Sequence, residues 1–216
     1  MIVLAETHRF TKGEEIANAV THGIGALLSI AALVILIVSS SINGTAIHVV
    51  SFTIFGATMV LLYTSSMLVH ALPQGKAKDV FEILDHSSIY LFIAGSYTPI
   101  TLLVIKGGLG WTLFGIVWGL AIGGIVFKSF FVKKYLFTST ILYVLMGWLV
   151  VIGWKQIVEN MPFNGVVLLV IGGVFYTIGA IFYVWRGFKF HHMIWHLFVI
   201  AGTVAHFFCV LFYLLP

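Results

Sequence analysis

The chain has 216 residues, 61% of them hydrophobic, which is about 132 apolar positions against 11 Lys plus Arg and 7 Asp plus Glu. Soluble domains carry roughly 25% charged residues and this chain carries 8%, which excludes a disordered chain, a coiled coil and an ordinary cytosolic enzyme. The net charge of +4 is too small to suggest nucleic acid as a partner, and at ~20 apolar residues per bilayer crossing the composition predicts an all-α polytopic membrane protein.

In chain order, Met1 to Thr11 contains Glu6, His8 and Arg9 but no basic start, apolar stretch and small-residue cleavage site, so no cleaved signal peptide is expected. The first span then acts as its own insertion signal. No charged residue occurs between Glu15 and Lys76, a gap too long for one helix. The stretch Ser39, Ser40, Ser41, Ile42, Asn43, Gly44 is the natural turn inside it. This predicts spans over 19–40 and 46–70, and after Pro73 to Asp79 further spans over 86–105, 109–127, 136–154, 165–185 and 194–215. The separators are Lys106-Gly107-Gly108, Lys128 with Lys133 and Lys134, Lys155 through Asn164, and Arg186 through His191. With no internal repeat or linker, residues 1–216 read as one seven-helix bundle, because open sheets leave backbone groups unpaired in lipid.

Seven spans put the termini on opposite sides. An N-terminus inside places Arg9, Lys12, Lys76, Lys78, Lys128, Lys133, Lys134, Arg186 and Lys189 in the cytoplasm and only Lys106 and Lys155 outside. The positive-inside rule therefore predicts a cytoplasmic N-terminus and an external Pro216. This orientation is the inverse of that of G-protein-coupled receptors.

Ionisable groups within a membrane domain are functional candidates. His22 opens span 1, His70 closes span 2, Asp85 opens span 3, and His192 and His196 open span 7, so topology brings all five to the cytoplasmic ends. Ser66 and His70 stand four apart and share a helix face, as do His192 and His196, and Glu14, Asn18 and His22 step by four into span 1. A helical H-x-x-x-H pair plus a third histidine from a facing helix makes a three-nitrogen zinc set, for which His70 is the best third ligand. Three imidazoles leave a position open, the pattern of catalytic zinc. Asp85 on the same side can hold a water at the metal, whose pKa falls to ~7, and Ser66 can donate to a developing oxyanion.

Structural roles compete with this reading. An H-x-x-x-H pair arises readily by chance among nine histidines, interfacial histidines can be solvated, and Asp85 can cap span 3. His48 and His206 read as satisfied packing histidines in the outer half, His191 as solvated because Trp195 stands four residues on, and His86 as facing elsewhere. Cys209, the single cysteine, reads as a packed apolar thiol. Trp111, Trp154 and Tyr135 suit interfacial belts. Gly119, Gly123, Gly124, Gly172 and Gly173 suit close helix packing, and Pro99 should kink span 3 and shape an opening toward lipid.

Four motifs in order, Glu15-x2-Asn18-x3-His22, Ser66-x3-His70, Leu84-Asp85-His86-Ser87-Ser88 followed by Gly95-Ser96-Tyr97-Thr98-Pro99, and His192-x3-His196, resemble the hemolysin III proteins of bacteria. These belong with the progestin and adipoQ receptors and, more distantly, the alkaline ceramidases. The resemblance covers the chain from about Lys12 to its end. It implies a zinc ion on His70, His192 and His196, with Asp85 holding a water on the metal, Ser66 nearby, and Glu15, Asn18 and His22 supporting the ligands. It also implies either hydrolysis of a lipid amide or ester in membrane lipid homeostasis, or lysis of red cells by a pore. The chain lacks the long N-terminal region of the animal receptors, which argues against a hormone-receptor role.

Three functions therefore stand as expectations. The first is an intramembrane zinc hydrolase of a lipid, with Asp85 and Ser66 as catalytic residues. The second is a cytolysin whose metal only clamps spans 2 and 7, against which no charged stripe lines any span. The third is a metal-dependent membrane sensor.

Overall fold

The computed structural model describes residues 10–216, so the readings of Met1 to Arg9, with Arg9 among the orienting charges, lie outside the described residues. Among these the structure is helical and has no strand. Among the described residues, seven helices are long and apolar enough to cross a membrane. Their outer faces carry large apolar side chains such as Leu27, Phe130 and Phe163, as lipid as solvent requires.

Helix α1 (Lys12–Asn43) begins earlier than the apolar run predicts, because a capping box of polar residues starts it. The Thr11 amide and hydroxyl donate to Glu14 Oε2 at 2.9 and 2.7 Å, and the Glu14 amide returns a bond to Thr11 Oγ1. The predicted turn is tighter than expected, with Gly44 and Thr45 alone joining α1 to α2 (Ala46–Ala71). His48 Nδ1 sits 3.2 Å from the Thr45 amide and 2.8 Å from its hydroxyl, so this histidine caps α2 rather than filling the core.

Helix α3 (Lys76–Pro99) starts ten residues before the predicted boundary. Asp85 is consequently interior to the helix, and the alternative of an Asp85 cap is corrected: Gly75 occupies that position. Beyond Pro99 the span continues as a π-helix, Ile100–Ile105, closed by Lys106 N–H on Thr101 O. Proline removes a donor and crowds the preceding turn, and the wider π turn accommodates the change.

Helix α4 (Gly107–Phe131) and α5 (Leu136–Trp148) follow. The fifth span breaks into a 3-10 turn, Leu149–Gly153, before α6 (Trp154–Asn160) completes it, so Lys155 through Asn160 are helical rather than connecting. The Tyr97 hydroxyl enters this break, donating to Gly147 O and accepting from Val150 N–H, each at 2.7 Å. A side chain inserted into the helical ladder is a recognised cause of such a break. Helices α7 (Phe163–Val184) and α8 (His191–Tyr213) close the bundle.

Small residues set the close approaches. A Cβ on Gly95 would stand 2.0 Å from Thr58 Oγ1, one on Gly124 2.5 Å from the Tyr90 ring, and one on Gly172 2.2 Å from His206. Gly173 touches only the Trp148 ring edge, while Gly119 and Gly123 face open space, so close packing does not explain those two. Tyr63 on α2 donates to Thr203 on α8 at 2.7 Å, tying two helices that both carry site histidines. Cys209 is buried, 3.3 Å from Gly165 O, and His206 is satisfied by Leu169 O at 3.1 Å.

Candidate metal centre

The last turn of α2 and the first turns of α8 meet at the lysine-rich end of the bundle. There the ligand nitrogens of His70, His192 and His196 all lie within 4.8 Å of one another. His70 and His192 keep 9% exposure and His196 none. The four-residue spacing on α8 puts His192 and His196 on one face, their ring centroids 4.6 Å apart. His70 reaches in from α2 with its Nε2 3.3 Å from His192 Nε2.

Glu15, in the first turn of α1, fixes the His70 tautomer. Its Oε2 accepts from His70 Nδ1 at 2.6 Å, which leaves Nε2 as the nitrogen with a free lone pair. Lys78 at the start of α3 in turn donates to Glu15 Oε1 at 2.7 Å. A carboxylate behind a histidine in this way is the usual support for a metal ligand. Lys78 has no periodic relation to Glu15, 63 residues away, so the sequence carried no signal for it.

The other residues of the first motif line the opposite side of the trio. His22 is 1% exposed and stacks on His196, with ring centroids 3.4 Å apart and planes 13° off parallel. Asn18 is fully buried one turn earlier on α1, its carbonyl within reach of the His196 ring. The side chains of Asn18 and His22 find no hydrogen-bond partner among the described residues.

Asp85 is buried, within electrostatic reach of His70 and 3.9 Å from His86 Nδ1. Ser66 is fully buried, with its hydroxyl directed at the Asp85 carboxylate. His86 has both nitrogens engaged, Nδ1 with Glu82 O at 2.9 Å and Nε2 with the Tyr183 hydroxyl at 3.2 Å, and so offers no ligand atom. The expectation that His191 is solvated is wrong. It is 1% exposed, with Nδ1 on Phe182 O at 3.3 Å, because the start of α8 folds back onto the end of α7.

From His22 and Asp85 a cavity runs through the bundle past Phe92, Tyr176 and Val199 to Trp154 and His206, walled mainly by α3, α5, α7 and α8. The cavity has a volume of about 150 Å³, and its walls are predominantly apolar. The assembled site is thus three converging imidazoles and a buried carboxylate with a hydroxyl beside it, the carboxylate and His22 also lining one end of an apolar space.

Comparison with known proteins bears on this arrangement. The sequence profile described as "Haemolysin-III related" matches residues 10–207. The chain is 55% identical to "Hemolysin-3" of Bacillus cereus, over 94% of this chain and 93% of that one. It is 56% identical to "Hemolysin-3 homolog" of Bacillus subtilis (strain 168), over 94% and 96%. It is 28% identical to "Monocyte to macrophage differentiation factor" of Homo sapiens, over 93% of this chain and 84% of the human one.

Proposed function

The chain belongs to the haemolysin-III related family, multi-pass proteins of the cell membrane with a distant tie to the progestin and adipoQ receptors, and from that footing we propose that it is a zinc-dependent hydrolase of a lipid amide or ester. Its role is in membrane lipid homeostasis, and the lysine-rich end carrying the site faces the cytoplasm. The observation that carries the reading is the three-imidazole set close to Asp85, a carboxylate that itself lines an apolar cavity.

The donor set fits zinc. Tetrahedral ligands about 2.0–2.1 Å from zinc stand about 3.3–3.4 Å apart, and the Nε2 atoms of His70 and His192 are 3.3 Å apart. His196 is fully buried with its ring facing the Asn18 carbonyl, and an ion on its ligand nitrogen would offset the cost of about 1–3 kcal/mol that an unpaired buried polar atom carries. Held by His70, His192 and His196, a zinc ion would polarise a carbonyl and make water nucleophilic near neutral pH.

The chain's own residues do the rest. The cavity takes the acyl chain against Phe92, Tyr176 and Val199, leaving the ester or amide carbonyl beside Asp85. Asp85 accepts the proton of the attacking water, and the Ser66 hydroxyl beside it turns to donate to the carbonyl oxygen as charge builds there. The bond to the alcohol or amine breaks, Asp85 returns the proton to that leaving group, and a fatty acid and an alcohol or amine result. Glu15 holds His70, and Asn18 and His22 pack against His196.

The test is release of fatty acid from lipid amides and esters by zinc-loaded protein in liposomes. Wild-type turnover with loss in Asp85→Asn, at unchanged zinc content, supports the reading. No release from any such lipid, or full activity in Asp85→Asn, contradicts it. The name of the two Bacillus relatives favours a second reading, a pore-former whose metal clamps α2 to α8. Conductance in protein-only liposomes that survives zinc removal would favour that reading over hydrolysis.

A further inference from the structure

We infer that the first turn of α1 is a movable cover over His70 and His192, and that ions reach the histidine trio from the aqueous end only when this cover lifts; the inference rests on the metal reading above. The Phe10 ring lies against the trio's outer side, its centroid 4.9 Å from His192, 5.7 Å from His70 and 6.0 Å from His191. Both histidines keep only 9% exposure.

One internal set of hydrogen bonds makes the cover a single piece, and two anchors hold it down. Thr11 and Glu14 form the capping box. Glu14 Oε1 accepts from the Phe190 amide at 3.1 Å, across to the residue that begins α8. Glu15 bonds both His70 and Lys78. Phe190 is in a left-handed conformation, φ 62°, which a non-glycine residue holds only when its surroundings fix it. The Glu14 carboxylate supplies that fixation, so the cover and the start of α8 are set by one side chain.

The alternative route is the cavity, which reaches His22 and Asp85 beside the trio and whose walls are predominantly apolar. A hydrated divalent cation does not cross such a space. A lipid does, so substrate and ion use opposite doors. The aqueous door is a helix terminus held by a few polar contacts, the class of structure that opens at low free-energy cost.

The experiment uses the whole chain in detergent micelles. Zinc-loaded protein is mixed with excess EDTA and zinc release is timed; Phe10→Ala and Glu14→Ala should release zinc severalfold faster than wild type at unchanged stoichiometry, while Phe10→Leu stays near wild type. Equal release rates in all four proteins would overturn the inference. A second arm needs no metal: diethylpyrocarbonate modification of His70 and His192 in zinc-free protein, read by mass spectrometry, should be severalfold faster in Phe10→Ala, and equal rates would again overturn it. Failure of wild type and variants alike to take up zinc would count against the metal reading, and the modification rates would then decide the cover on their own.

Discussion

His70 Nδ1 donates to Glu15 Oε2 across 2.6 Å, joining the last turn of α2 to the first turn of α1. The bond directs the free lone pair of His70 at the space between His70 and His192. Carboxylates behind metal-ligating histidines typically contribute about 10–100-fold in metal affinity. Glu15→Gln, which keeps an acceptor but removes the charge, is therefore expected to weaken zinc binding within that range while saturating at the same stoichiometry. Competition against a zinc-binding dye measures it; unchanged affinity in both Glu15→Gln and Glu15→Ala would detach Glu15 from the site.

The two lysine contacts at this end are expected to behave differently. Lys133 lies 3.1 Å from Asp79 Oδ1 and 3.3 Å from Glu82 Oε2, in a largely exposed setting. Its hydrogen bond to Asp79 and the charge of Glu82 hold its ammonium pKa above the ordinary lysine value. A raised pKa means that this contribution is complete below the ordinary lysine value and is lost only as pH rises through the raised one, so it is constant across neutral pH. Exposed pairs are worth about 0–1 kcal/mol. Lys133→Ala should leave zinc affinity untouched and barely move Tm in detergent, whereas Lys78→Met, which frees one Glu15 oxygen, should weaken zinc binding. Equal zinc affinities in the two variants would contradict the distinction.

Gly95 faces Thr58 so closely that a Cβ there would stand 2.0 Å from Oγ1. The Thr58 hydroxyl is held by Ile54 O at 3.0 Å and Phe55 O at 2.9 Å and cannot swing away without losing them. Gly95→Ala should cost about 1–3 kcal/mol through overpacking, seen as a lower Tm, and Thr58→Ala in the same chain should restore part of it. A double variant no better than Gly95→Ala alone would locate the strain elsewhere.

Lys128 is fully buried in α4, and its Nζ has no hydrogen-bond partner among the described residues. Unsatisfied buried polar groups cost about 1–3 kcal/mol. Lys128→Met should raise Tm with zinc content unchanged, and a lower Tm would mean that the amine has a partner in the membrane.

The seven spans were legible because lipid demands ~20 apolar residues per crossing, and the trio because a spacing of four fixes a helix face. Helix starts were less legible. The beginnings of α1 and α3 are polar turns, Thr11 to Glu15 and Lys76 to Asp79, that extend beyond the apolar runs and are set by caps rather than by hydropathy. His191 read as solvated because four-residue spacing says nothing about the fold-back of α8 on α7. Lys78 and Phe10 reach the site through tertiary packing alone, a level at which periodicity carries no signal.

The central claim is that His70, His192 and His196 hold one ion, and metal analysis of the purified chain tests it most directly. The account predicts one zinc per wild-type chain, retained through dialysis, and none in the His192→Ala/His196→Ala double variant. A wild-type chain that remains empty after titration with zinc, or a double variant that still carries the ion, would contradict it.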